Sequence, residues 1–166
     1  MRNKTRATHA APARLLRDPL HLMAFGFGAG LVHRGPGTAG TVIGVALYWV
    51  IRDWSLLSYC LTILLGFVFG TWICGRAAQA LQADDHPGIV WDEMVGFLAA
   101  MTAVPRAWPW VLAAFLLFRL LDIWKPWPIG WLDRNLGGGV GIMADDMAAG
   151  FAACLILNVI AYIVVN

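Results

Sequence analysis

Gly137-Gly-Gly-Val-Gly-Ile-Met-Ala-Asp-Asp-Met-Ala-Ala-Gly150 reads as a glycine-rich turn running into a helix whose first residues include two adjacent carboxylates. Beyond Asp145 and Asp146 no charge occurs through residues 147–166, about enough chain for one bilayer crossing at ~20 residues per span. An ionised carboxylate costs roughly 2.5–3.5 kcal/mol at mid-membrane and less toward the interface. Two acids at the mouth of such a helix therefore predict a cation or metal partner.

Working outward, the rest of the chain has the same character. Of its 166 residues 60% are hydrophobic and only 13% charged, and the mean hydropathy is +0.68, values of an integral membrane protein with one domain. A net charge of +2 excludes the strongly basic face of a nucleic-acid binder. Cys60, Cys74 and Cys154 are odd in number, lack C-x-x-C spacing and read as packing residues. The basic N-terminus leads into an apolar stretch broken by Gly26, Gly28 and Gly30, without the clean apolar run and cleavage site of a removable leader.

Residues 1–20 form a basic tail suited to an anionic membrane face or to solvent, and residues 21–166 form the membrane domain. His33-Arg-Gly-Pro-Gly-Thr-Ala-Gly40 is a turn, with Thr38 the expected N-cap of an apolar helix over residues 41–51. Residues 54–75 carry no charge and are the clearest span. Gly40/Gly44 and Gly66/Gly70 are G-x-x-x-G pairs that let membrane helices approach closely. Residues 76–88 are a polar excursion ending in Asp84, Asp85, His86 and Pro87. Apolar runs resume at 89–104, with Asp92 and Glu93 near the start, and at 110–121. The second of these runs ends where Arg119, Asp122 and Lys125 recur at steps of three along one side of a helical terminus.

The pattern predicts an all-α, compact multi-helix membrane bundle of about five apolar helices, three of them only about 11–16 residues long. With the tail in the cytoplasm, all of the twelve Lys and Arg residues except Arg52 and Arg106 fall inside, as the positive-inside rule asks. Nine of the ten acids, all but Asp53, fall there too. Acids contribute little to topology, so their gathering predicts a cation site on the cytoplasmic face.

Adjacent hard oxygen ligands, Asp92/Glu93 and Asp145/Asp146, suit magnesium, which keeps waters for a phosphate to replace. Asp84, Asp85, Asp122 and Asp133 are further candidates to complete or tune the site, and Arg119, Lys125 and Arg134 are cations for phosphate oxygens. The two glycine-rich turns, with Thr38, Gly138 and Gly139, offer backbone N–H groups for the same anion. Blander readings stand beside these: a helix-end salt bridge for Asp122 and Lys125, dipole ligands for Asp145 and Asp146, and a solvated loop for Asp84 and Asp85. No cysteine has an arginine six positions on, and all four histidines precede Asp92 and the acids that follow it. Those absences leave metal-activated water, or an aspartyl nucleophile, as the phosphate chemistry.

Pro36-Gly-Thr-Ala-Gly40, Ile89-Val-Trp-Asp-Glu-Met-Val-Gly96, Phe118-Arg-Leu-Leu-Asp-Ile-Trp-Lys-Pro-Trp-Pro-Ile129 and Gly138-Gly-Val-Gly-Ile-Met-Ala-Asp-Asp-Met-Ala-Ala-Gly150 resemble, in order, the motifs of the phosphatidylglycerophosphatase A family. The resemblance implies a magnesium-dependent enzyme of the bacterial inner membrane, its site toward the cytoplasm. Its substrate would be phosphatidylglycerophosphate, its product phosphatidylglycerol for membranes and cardiolipin, and membrane lipids its surroundings. It implies Asp92, Glu93, Asp122, Asp145 and Asp146 as the active centre, with Asp92, Glu93, Asp145 and Asp146 on the metal and Arg119 and Lys125 on phosphate. His33-Arg34 is less typical of the family, and nothing in the sequence indicates an oligomer.

Two rivals are weaker. A CDP-alcohol phosphatidyltransferase needs aspartates spaced four apart where Asp145 and Asp146 are adjacent. A magnesium channel would place acids on both sides of the membrane, against the asymmetry above.

Overall fold

The computed structural model describes residues 15–83 and 86–165, and these are helical with no strand among them. Most of the expected basic tail, residues 1–14, and the Asp84-Asp85 pair lie outside the described residues. Seven α-helices follow in order: α1 (Pro19–Ala24), α2 (Pro36–Ile51), α3 (Leu56–Ala80), α4 (Trp91–Ala100), α5 (Trp108–Trp124), α6 (Ile129–Asn135) and α7 (Gly138–Val165), with 3-10 turns at Leu15–Arg17 and Gly26–Leu31.

Several boundaries differ from the sequence expectation. Helix α2 begins at Pro36, and its N-cap is Gly35 in the left-handed region (φ +71°), so Thr38 lies inside the first turn and is not the cap. Proline at the first helical position has its φ preset and no N–H to leave unsatisfied, which moves the start forward. Helix α3 runs through the supposed polar excursion as far as Ala80. Helix α7 begins at Gly138, so Asp145 and Asp146 sit two turns inside it rather than among its first residues. Lys125 does not continue the Arg119/Asp122 face, because it leaves α5 in a left-handed conformation (φ 48°).

Among the described residues, only α3 and α7 are long and apolar enough to cross a membrane. In their most apolar windows 22% and 33% of residues are buried, so Leu57, Leu65, Val68, Leu155, Val159 and Ile163 point outward. Uncovered apolar surface on this scale marks a membrane or protein contact. The all-helical fold thus has two helices of spanning length with the shorter α2, α4 and α5 beside them.

The ten-residue α4 is the axis of the packing, with every residue from Met94 to Ala100 buried and α2, α3, α5 and α7 around it. Gly40 and Gly44 of α2 rest against Val90 and Met94, where a Cβ would fall 2.7 and 3.0 Å from its neighbours. Trp91 Nε1 donates to the Gly66 carbonyl at 3.0 Å, and Tyr59 donates its hydroxyl proton to the Leu98 carbonyl at 2.7 Å, tying α3 to α4. At one end Arg106 meets Asp53 at 3.0 Å. The starts of α2 and α4 and the end of α5 therefore lie together at the other end, where the remaining described acids of these helices gather.

Candidate active site

Asp92 and Glu93 occupy the first turn of α4, a position that favours negative charge because the helix N-terminus exposes unpaired N–H groups. Helix α7 brings Asp146 beside them because two glycines let the helices touch. A Cβ on Gly96 would lie 2.9 Å from the Asp146 carbonyl oxygen, and one on Gly150 would lie 2.3 Å from that of Gly96. Carboxylate oxygens of Asp92, Glu93 and Asp146 consequently fall within 4.8 Å of one another, with Asp92 8% and Asp146 4% exposed.

Arg119 closes the group from α5. Its Nη1 donates to Asp122 Oδ2 at 2.6 Å and lies 3.8 Å from Glu93 Oε1, while its Nε is buried with no hydrogen-bond partner. Asp122 also acts electrostatically on Asp146, so it belongs to the same group. The N-terminal turn of α2 covers this assembly so tightly that a Cβ on Gly37 would sit 2.2 Å from Glu93 Oε1.

A second cation lies alongside. Lys125 Nζ donates to Asp133 Oδ1 at 2.9 Å and to Asp145 Oδ2. Burial alone would lower the Lys125 pKa, but the Asp145 and Asp133 carboxylates outweigh it and hold it raised. Asp145 therefore faces Lys125, and Asp146, next in sequence, joins the three-acid group.

Among the described residues, Arg119 pairs with Glu93 and Asp122 and Lys125 with Asp133 and Asp145, while Asp92 and Asp146 stand beside Glu93, so six carboxylates gather around two cations. Buried charge left without compensation costs several kcal/mol per ion. Glu93 Oε2 and Asp146 Oδ2 are buried oxygens with no hydrogen-bond partner. Three oxygen donors of this kind, with no sulfur or imidazole among them, fit a hard divalent cation.

The other expected residues are dispersed. Thr38 is exposed in the first turn of α2, close in sequence to Gly37. Gly138 is exposed at the start of α7, and Gly139 is committed to packing, since a Cβ there would strike the Thr71 carbonyl oxygen at 1.8 Å. Arg134 is exposed on α6. Gly37, Gly96 and Gly150 were not anticipated as site-building residues; the signal available was their place inside the quoted motifs.

Hard oxygen donors grouped beside a guanidinium suit the chemistry of a phosphate ester, and the class of protein comes from comparison with known proteins. The family model described as phosphatidylglycerophosphatase A matches residues 22–161, and the chain belongs to that family of phosphatases. It is 42% identical over 156 residues to phosphatidylglycerophosphatase A of Escherichia coli (strain K12), covering 92% of this chain and 90% of that protein. The Haemophilus influenzae protein of the same name is 41% identical over 152 residues, covering 89% and 91%. A Bacteroides thetaiotaomicron relative with the provisional name phosphatidylinositol-3-phosphatase is 36% identical over 151 residues, covering 86% and 94%. No solved structure matches.

Proposed function

We propose that this phosphatase hydrolyses the terminal phosphomonoester of phosphatidylglycerophosphate, releasing phosphate and phosphatidylglycerol, in a magnesium-dependent reaction. The observation that carries the reading is the packing of Asp92, Glu93 and Asp146 against Arg119 at one end of an outwardly apolar helical bundle. Asp92, Glu93 and Asp146 would hold the metal, which when bound supplies charge for the phosphate oxygens and a water of lowered pKa. Arg119 neutralises a phosphate oxygen, its Nε being free of a hydrogen-bond partner. One carboxylate of the group takes the proton of the attacking water, with Asp122 holding Arg119 in position. Asp145 keeps Lys125 charged and placed beside the group, so Lys125 reaches phosphate only by loosening one of two ion pairs. Thr38 and the N-terminal turn of α2 lie nearer this chemistry than Gly138 and Gly139, which stand about 10 Å up α7 from Asp145 at 1.5 Å per residue.

The domain, residues 21–166, sits in the bacterial inner membrane as a multi-pass bundle with the acidic end toward the cytoplasm. Support comes from the outward apolar faces of α3 and α7 and from the positive-inside pattern of Lys and Arg along the sequence. There the acyl chains remain in lipid while the headgroup reaches the carboxylates.

Phosphate release by detergent-solubilised protein tests the reading, with magnesium and with chelator, for wild type and Asp146→Asn. Phosphatidic acid and phosphatidylinositol 3-phosphate serve as competing substrates. Magnesium-dependent release, fastest from phosphatidylglycerophosphate and lost in a folded Asp146→Asn, is expected. Absence of release by folded wild type would sink the proposal, and faster turnover of another lipid would overturn the substrate.

A further inference from the structure

The opposite end of the bundle holds a partly polar cavity of about 180 Å3, where α2 ends, α3 begins and the turn after α4 passes. Tyr48, Arg52, Trp54, Tyr59, Met101 and Arg106 are among its lining residues. Arg106 Nη1 lies 3.0 Å from Asp53 Oδ1, and Arg52 Nε lies 3.5 Å from Asp53 Oδ2. Two guanidiniums thus share one carboxylate, and the cluster keeps a net charge of two minus one, or +1. The Arg52 guanidinium is seated over the Trp49 ring, 4.0 Å from its centroid. The Tyr59 hydroxyl is spent on the Leu98 carbonyl, but the hydroxyl of Tyr48, a residue only 2% exposed, is buried with no hydrogen-bond partner. Trp49, Trp54 and Trp108 are exposed at this end. Tryptophans gather where the hydrocarbon of a bilayer gives way to headgroups.

We propose that this cavity binds the phosphate of an anionic phospholipid from the leaflet facing this end, between Arg52 and Arg106, with the Tyr48 hydroxyl as a further donor. A cluster of charge +1 takes a phosphodiester and favours a lipid of net charge −1 over a zwitterionic lipid of net charge zero. Acyl chains then lie against the exposed apolar helix faces. The site rests on the membrane placement proposed above and not on the phosphatase reading.

Native mass spectrometry of the full chain in detergent tests it, with phosphatidylserine, phosphatidylcholine or inorganic phosphate as the probe. Wild type is expected to retain phosphatidylserine over phosphatidylcholine. The Arg52→Gln/Arg106→Gln double variant is expected to bind phosphatidylserine roughly tenfold more weakly, while Asp146→Asn, at the other end, binds it as wild type does. A wild-type melting temperature shows the double variant to be folded. If it is not, Arg106→Gln alone, at a side chain 58% exposed, is expected to weaken binding several-fold. Equal phosphatidylserine binding by wild type and the folded arginine variants overturns the site. Displacement of the lipid by equimolar inorganic phosphate overturns its assignment to a lipid rather than a soluble anion. Release of the protein from membranes by an alkaline wash without detergent refutes the membrane placement itself.

Discussion

Gly37→Ala separates the proposed chemistry from the stability of the fold. A Cβ at this position falls 2.2 Å from Glu93 Oε1 and 3.0 and 3.1 Å from Arg119 Nη1 and Nη2. Carbon–oxygen contacts settle at about 3.3 Å or more, so the Glu93 carboxylate must withdraw by roughly 1 Å. The atoms in the way are the ends of two long side chains rather than backbone, so the helices need not part. Alanine also favours a helix over glycine by up to about 1 kcal/mol. The melting temperature should therefore hold or rise. Misplacing a reacting group by ~1 Å costs on the order of 100-fold in rate, and that loss is expected in kcat for phosphate release. A folded Gly37→Ala protein with kcat within about threefold of wild type would refute the placement of Glu93 and Arg119 at the reacting phosphate.

Three further outcomes are expected. Lys125→Met leaves Asp133 and Asp145 without their shared cation; the lysine side chain is 23% exposed, so the cost should be about 2–3 kcal/mol, below the 3–5 of a fully buried pair. Because the Lys125 pKa is raised on folding, its contribution is fully present below the ordinary lysine value of about 10.4 and is lost only as pH climbs through the higher folded value. The melting-temperature gap between wild type and Lys125→Met should hence stay constant from about pH 6 to 9, and a gap that closes there contradicts the assignment. Gly150→Ala meets backbone, the Gly96 carbonyl oxygen at 2.3 Å, and should destabilise by about 1–3 kcal/mol in a thermal melt while displacing Asp146. Magnesium at a hundred times its dissociation constant should stabilise wild type by about 2.7 kcal/mol over chelator, and Asp92→Asn/Asp146→Asn should show no such gain.

Much of the fold was legible because hydropathy is a local sum. Residues 54–75 and the uncharged tract after Asp146 announce α3 and α7 without reference to anything else in the chain. Asp92 and Glu93 at the head of an apolar run, and Arg119 three residues before Asp122, were equally visible. The start of α2 was misjudged because Thr38 is a good capping residue only if the chain is not already helical, and Pro36 makes it helical two residues earlier. Helix α6 was missed because seven residues between prolines and glycines carry too little periodicity to register.

The chain's own composition determined that these helices would turn apolar faces outward and that acids would collect at one end, since both follow from which residues are charged and how far apart they lie. Only the tertiary structure decided that Asp146 joins Asp92 and Glu93 while Asp145 turns to Lys125. Adjacent residues on a helix point about 100° apart at 3.6 per turn, and nothing local says which of them faces α4. That choice is made by the rotation of α7, and the rotation is set where Gly96 and Gly150 let two backbones meet more closely than any side chain would allow.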